Sequence, residues 1–345
     1  MSGYQFVIFL VLVFSGSYLM TKYVRKYSIT NAVMDFPNAR SSHVLPTPTG
    51  GGIAIVLNLT AGIIIFYFID YISLNILLAI GMGGILIACI GWIDDHRHIP
   101  AGWRMLFYLL VSLWALYWSI GPAWLQQAGF LTALNHIGLL FVILGLVWLI
   151  NLYNFMDGTD GLAASQAICT SMMAGILLML SAEEGLAMIC FTLAAASLGF
   201  LIWNWPGARV FMGDVGSCYI GFVFGIVAFT SDISTPLSVY IWIILLSVFI
   251  SDASLTLVFR FISRRKWYSA HKEHAYQRYV QMGKSHLALL VNVIAINLLI
   301  LWPTALLAWY RQDLAVYLVV FVFLVMFTLW SAIQLKFSKY ETAED

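Results

Sequence analysis

The stretch FVILGLVWLINLYNFMDGTDGLAASQAICTSMMAGILLML, Phe141 to Leu180, places a polar dozen between two long apolar runs. Each run approaches the about 20 residues that carry a helix across a bilayer. The insert, NLYNFMDGTDGL, holds Asn151, Asn154, Asp157 and Asp160. Acidic groups at a span's edge read as functional rather than solvating. The fold therefore depends on whether the pattern recurs.

It recurs along the whole chain. Apolar runs lie near 3–21, 51–69, 72–93, 105–120, 137–153, 161–181, 186–204, 216–230, 237–259, 286–308 and 315–335. The chain is 62% hydrophobic and 10% charged, against roughly 25% charged in soluble domains. Runs this long suit helices, not barrel strands. The expectation is an all-α polytopic membrane protein of 10–11 transmembrane helices, forming one unit over 1–345. The N-terminal run has no basic residues before it, so it reads as an uncleaved first span. Cys89, Cys169, Cys190 and Cys218 sit in apolar segments without metal spacing and read as free thiols. No basic domain exists for nucleic acid.

Charge sets the orientation. With the N-terminus outside, the loops after runs 1, 3, 5, 7 and 9 and the C-terminal tail carry 16 of the 17 Lys and Arg residues. Only Arg311 falls elsewhere. Positive residues favour the cytoplasmic side, so the C-terminus is expected there too. The same five loops, near 35–52, 94–104, 151–162, 204–217 and 260–286, carry the polar clusters. They are expected to build one cytoplasmic site.

Asp94, Asp95, Asp157 and Asp214, with Asn154, supply hard oxygen donors from three loops. Such donors suit Mg²⁺, which keeps waters and binds substrate phosphate. The bland reading makes each aspartate a helix cap. Glycines flank Asp214 in FMGDVGS and precede run 2 in PTPTGGG, where ordinary turn chemistry competes with phosphate contact. HKEHAYQR places His271, His274 and Arg278 at spacings of three and four, one face if helical. That face would clamp a diphosphate, or merely touch anionic lipid. Zinc lacks a third ligand there. Asp252, Thr256 and Arg260 recur every four residues and read as a structural pairing.

Together PNARSSHVLPTPTGGG, DDH, NLYNFMDGTDGL, FMGDVGS and HKEHAYQR resemble, in order, the motifs of the polyprenyl-phosphate N-acetylhexosamine-1-phosphate transferase superfamily. The resemblance covers nearly the whole chain. It implies transfer of a sugar-1-phosphate from a UDP-N-acetyl sugar to undecaprenyl phosphate, releasing UMP in the bacterial inner membrane. It assigns catalysis to Asp94, Asp95 and Asp157, and Mg²⁺, with Mn²⁺ as a substitute, to Asn154 and Asp214. It assigns substrate binding to His271, His274, Arg278, Asn38, Arg40, His43, Gly51 and Gly213. A homodimer is compatible with it. HKEHAYQR departs from the triple-His loop of the muramoyl-pentapeptide branch and looks like the branch that starts O-antigen and other surface glycans. Thr49 stands where relatives often have a basic residue. The competing reading is a secondary transporter with intramembrane carboxylates, which predicts midplane charges and an inverted repeat.

Overall fold

The computed structural model describes residues 1–36, 46–97, 99–120, 132–234, 237–266 and 271–344. The expected runs all fall on helices: α1 (Gly3–Thr30), α2 (Ile53–Phe68), α3 (Leu74–Arg97), α4 (Ala101–Ile120), α5 (Thr132–Phe155), α6 (Leu162–Leu180), α7 (Glu184–Asn204), α8 (Asp214–Ser234), α9 (Val239–Leu245), α10 (Ser247–Ile262), α12 (His286–Tyr310) and α13 (Ala315–Glu344). A short helix, α11 (Ala275–Gln281), lies in the basic loop. The described strands are β1 (Met34–Asp35) and β2 (Thr47–Pro48), paired antiparallel.

The protein is an all-α polytopic membrane protein. Among the described residues, α1, α3, α5, α6, α7, α8, α12 and α13 are long and apolar enough to span, and α9 with α10 makes a ninth if the bent pair is one span. That is fewer than the ten or eleven expected. The 16 residues of α2 reach about 24 Å, short of the ~30 Å hydrocarbon core. Helix α4 carries Arg104 in its first turn. The outer surface is lipid-like: Leu12 on α1, Leu299 on α12 and Tyr317 on α13 are 64%, 75% and 72% exposed. A water-facing surface would not carry such a continuous apolar belt.

The interior is built from α6, α7 and α8. Gly221 on α8 brings that helix against the Leu149 carbonyl of α5, where an added Cβ would lie 2.7 Å away. Tyr153 packs between Phe224 and Phe249, with ring centroids 5.9 and 5.0 Å apart. The bend between α9 and α10 is 78°. A broken span frees a carbonyl that lipid cannot satisfy. Here the Leu245 carbonyl accepts from Gln166 Nε2 at 2.9 Å and Thr170 Oγ1 at 3.3 Å. Gln166 in turn accepts from Asn297 Nδ2 at 2.8 Å, inside a π-helical stretch of α12, Asn297–Leu301. All four cysteines are free.

Trp309 donates to Ser181 Oγ at 2.9 Å, and Tyr71 bonds the Met1 amine, which gathers one end of the bundle. The described polar motifs gather at the other.

Candidate functional site

Helix α3 ends on the aspartate pair, and its two members diverge. Asp95 faces the start of α8. Its Oδ1 accepts the Asp214 N–H at 2.8 Å and its Oδ2 the Val215 N–H at 3.2 Å. First-turn amides have no partner inside their helix, and the helix dipole favours an anion there. Asp95, expected among the catalytic residues, thus has both oxygens committed to holding α8, and the geometry gives it a positioning role. Asp94 is buried; its Oδ1 accepts the Ile99 N–H at 2.5 Å and its Oδ2 pairs with Arg104. The same Arg104 nitrogen lies 3.2 Å from Asp214 Oδ2. Arg104 was missed in the sequence because one arginine opening a span looks like an interfacial anchor.

Asn154, in the last turn of α5, donates through Nδ2 to Ser217 Oγ at 3.2 Å, which puts it against α8 with its amide oxygen facing away from that bond. Asp157 follows where α5 ends. It is half-buried; its N–H donates to the Asn154 carbonyl at 3.1 Å, while its carboxylate makes no hydrogen bond or ion pair with another described residue. Burial raises its carboxyl well above the usual range, and the charges of Asp214, Asp95 and Asp160 push in the same direction. Asp160 differs. Burial pushes its carboxyl up, but His286 and two amides more than offset this and hold it low. Its Oδ2 accepts the Gly207 and Ala208 N–H groups at 2.9 and 3.2 Å and lies 3.2 Å from His286 Nδ1. Asn204 adds a bond from Gly161 N–H at 2.9 Å. Asp160 therefore ties the acidic turn to the 205–210 loop and to α12.

The basic loop is not one helical face. Helix α11 starts only at Ala275, because Asp252 reaches from α10 to accept the Ala275 and Tyr276 N–H groups at 2.8 and 3.0 Å. Thr256 donates to the same carboxylate at 3.1 Å. The expected pairing of Asp252 with Thr256 is present, while Arg260 pairs with Glu273. Glu273 also takes Arg265 at 2.6 Å and Arg278 at 3.6 Å. Arg278 bonds Gln334 and stacks 4.9 Å from the Phe337 ring centroid. It leans toward Gln334 and Phe337 of α13 while pairing with Glu273, so the expected shared face with the histidines is corrected. His271 and His274 do pair, with ring centroids 4.8 Å apart. Burial, then neighbouring His274 and Arg260, lowers His271 to about 4. Tyr276 donates to the Phe155 carbonyl at 2.9 Å and joins this loop to the acidic turn.

Gly213 has φ +76°, with Asp95 Oδ2, Gly50 N and Thr49 Oγ1 around the space a Cβ would fill; it stands beside the cluster. Gly51 does not offer its amide. That N–H donates to the Phe211 carbonyl at 2.9 Å, and Gly52 donates to Met212 at 2.8 Å. Gly51 is a packing residue rather than the substrate contact expected of it. Asn38, Arg40 and His43 lie outside the described residues.

Among the described residues no three carboxylate, histidine or thiol side chains close into a ready ligand sphere. Mg²⁺ does not require one, since it uses one or two carboxylates with water and phosphate. Asp157, whose carboxylate has no polar partner among the described residues, and Asp214, 26% exposed, fit that use.

An acidic cluster drawn from α3, α5 and α8 at one end of an apolar helix bundle defines a membrane-embedded enzyme class acting where water meets lipid. The model of glycosyl transferase family 4 matches residues 77–232, the segment that supplies Asp94 through Asp214. The chain is 26% identical over 273 residues to the probable undecaprenyl-phosphate N-acetylglucosaminyl 1-phosphate transferase of Bacillus subtilis, covering 78% of this chain and 75% of that one. It is 28% identical over 302 residues to the decaprenyl-phosphate N-acetylglucosaminephosphotransferase of Mycolicibacterium smegmatis, covering 78% and 74%. It is 31% identical over 224 residues to the undecaprenyl-phosphate alpha-N-acetylglucosaminyl 1-phosphate transferase of Escherichia coli, covering 62% and 59%. Over residues 77–232 the chain is similar to glycosyl transferase family 4, and these relatives are all polyprenyl-phosphate N-acetylglucosamine-1-phosphate transferases by name.

Proposed function

We propose that this protein transfers an N-acetylated sugar-1-phosphate from a UDP-sugar to undecaprenyl phosphate, releasing UMP at the cytoplasmic face of the bacterial inner membrane. The product would start a lipid-linked surface glycan. The observation that carries the reading is the meeting of Asp94, Asn154, Asp157 and Asp214 at one end of the bundle, where the acidic turn also borders an apolar cavity of about 670 Å³ through Met156 and Leu162. That cavity lies among α10, α11, α12 and α13, with Met156 and Leu162 in its wall. These two residues flank the acidic turn, so a lipid chain and a water-borne nucleotide have separate approaches to one place. The relatives, by name N-acetylglucosaminyl 1-phosphate transferases acting on undecaprenyl phosphate, support transfer of a sugar phosphate to the lipid.

Asn154, Asp157 and Asp214 would hold Mg²⁺ against the diphosphate. Bound there, the ion would neutralise charge gathering on the leaving UMP. The acceptor phosphate oxygen is already anionic and needs little activation, which favours a single displacement. That oxygen bonds to the β-phosphorus, the bond from β-phosphorus to the bridging oxygen breaks, and UMP leaves with the electron pair. Asp94 and Arg104 orient the reacting groups, while Asp95 holds α8 and hence Asp214. His271, His274 and Arg278 secure the donor loop over the nucleotide. The test is a panel of UDP-sugars with undecaprenyl phosphate in purified protein, reading UMP. One donor must release UMP in a lipid-dependent manner, and Asp214→Ala must abolish the release. Near-normal turnover in both Asp214→Ala and Asp94→Asn sinks the site assignment.

A further inference from the structure

One nitrogen, Nη1 of Arg104, serves two carboxylates from different helices. It pairs with Oδ2 of Asp94 at the end of α3 and lies 3.2 Å from Oδ2 of Asp214 at the start of α8. Arg104 Nε is buried without a hydrogen-bond partner among the described residues, so the guanidinium's described bonds go to the two carboxylates. The other acidic groups of the cluster are answered differently. Asp95 is satisfied by the first amides of α8. Asp160 is satisfied by His286 and the 207–208 amides. Asp157 has no cation beside it among the described residues. Arg104 is thus the cation of the inner cluster among the described residues, and it sits on Asp214.

An oxygen engaged by a guanidinium is a poor site for a second cation. Mg²⁺ binds at about 2.0–2.1 Å, while the guanidinium nitrogen must stay in contact with the same carboxylate. Two positive groups at those distances repel, and the partly dry setting screens that repulsion little.

We propose that Arg104 is an internal counter-cation that competes with divalent metal for Asp214. It holds the aspartate in place before substrate arrives and keeps affinity for the bare ion low. A diphosphate adds negative charge that stabilises both cations together, so nucleotide and metal load cooperatively. By reciprocity the nucleotide then strengthens metal binding by the factor with which metal strengthens nucleotide binding. This inference rests on the metal-holding role in the proposed transferase.

The test measures Mn²⁺ binding to full-length protein in nanodiscs, by calorimetry and by electron paramagnetic resonance, with and without UDP. Wild type is expected to bind Mn²⁺ weakly alone and about tenfold more tightly with UDP, a coupling within the ordinary range. Arg104→Gln is expected to bind Mn²⁺ about tenfold more tightly than wild type without UDP and to lose most of the UDP effect. Arg104→Lys keeps a charge with fewer donors and must fall between the two. A residue that only braced the fold would lower thermal stability without tightening metal binding. Unchanged or weaker Mn²⁺ affinity in Arg104→Gln overturns the proposal, as does a Lys variant tighter than the Gln variant. Tighter binding in Arg104→Gln, combined with no UMP release from any donor in wild type, would instead sink the transferase reading and leave the competition standing.

Discussion

Asp252 offers a sharp perturbation because it acts at a distance from the acidic cluster. Its carboxylate caps α11 through the Ala275 and Tyr276 N–H groups at 2.8 and 3.0 Å. Helix α11 has seven residues, too short to persist without such support. Asp252→Ala leaves two buried amides unpaired, at about 1–3 kcal/mol each. The lower bound, about 2 kcal/mol, already corresponds to roughly a 30-fold population shift. The released helix takes with it Tyr276, whose hydroxyl ties the basic loop to Phe155. The expected outcome is a fall of about 30-fold or more in kcat/KM for the nucleotide donor. Asp252→Asn retains one acceptor oxygen and should fall about fivefold, equivalent to one weakened bond of about 1 kcal/mol. The assay is UMP release at varied donor with saturating lipid phosphate, with folding checked by circular dichroism. A folded Asp252→Ala within twofold of wild type would refute the idea that this carboxylate organises the donor loop.

Three further outcomes follow from individual contacts. Asp157 has its carboxyl raised, so the folded state holds a proton that the unfolded chain releases near 3.8; stability is present below that value and declines as pH rises through the raised one. In thermal melts without divalent ions, Asp157→Asn should flatten that decline, and an unchanged slope would count against it. Gln166→Leu and Asn297→Leu should couple in a double-mutant cycle by about 0.6–1.7 kcal/mol, the range of hydrogen bonds inside membranes; additive effects would mean the α9–α10 break does not depend on them. Gly52→Ala places a Cβ 2.9 Å from Gly216 N, and overpacking of that kind should lower stability by about 1–3 kcal/mol, read by melting in detergent.

The site was legible unevenly. Asn154, Asp157 and Asp214 were visible because polar residues at the ends of apolar runs have few other reasons to be there. Asp94 and Asp95 looked equivalent as neighbours in sequence. Successive residues on a helix point about 100° apart, so one meets Arg104 and the other meets the α8 amides. Arg278 looked like a partner of His271 and His274, but α11 begins only where Asp252 caps it. Glu273, inside HKEH, gathers Arg260, Arg265 and Arg278; an acid among basic residues was its signal.

Composition and periodicity alone determined the all-α membrane fold, because lipid leaves a backbone few ways to satisfy its hydrogen bonds. They also determined which loops carry the polar clusters, since an apolar chain concentrates its polar groups where it meets water. Tertiary structure decided what each polar residue does. The break at Leu246, the cap Asp252 places on α11 and the sharing of Arg104 between Asp94 and Asp214 join residues 10 to 131 positions apart. No local pattern encodes such pairings, because they follow from which helix ends the packing brings together.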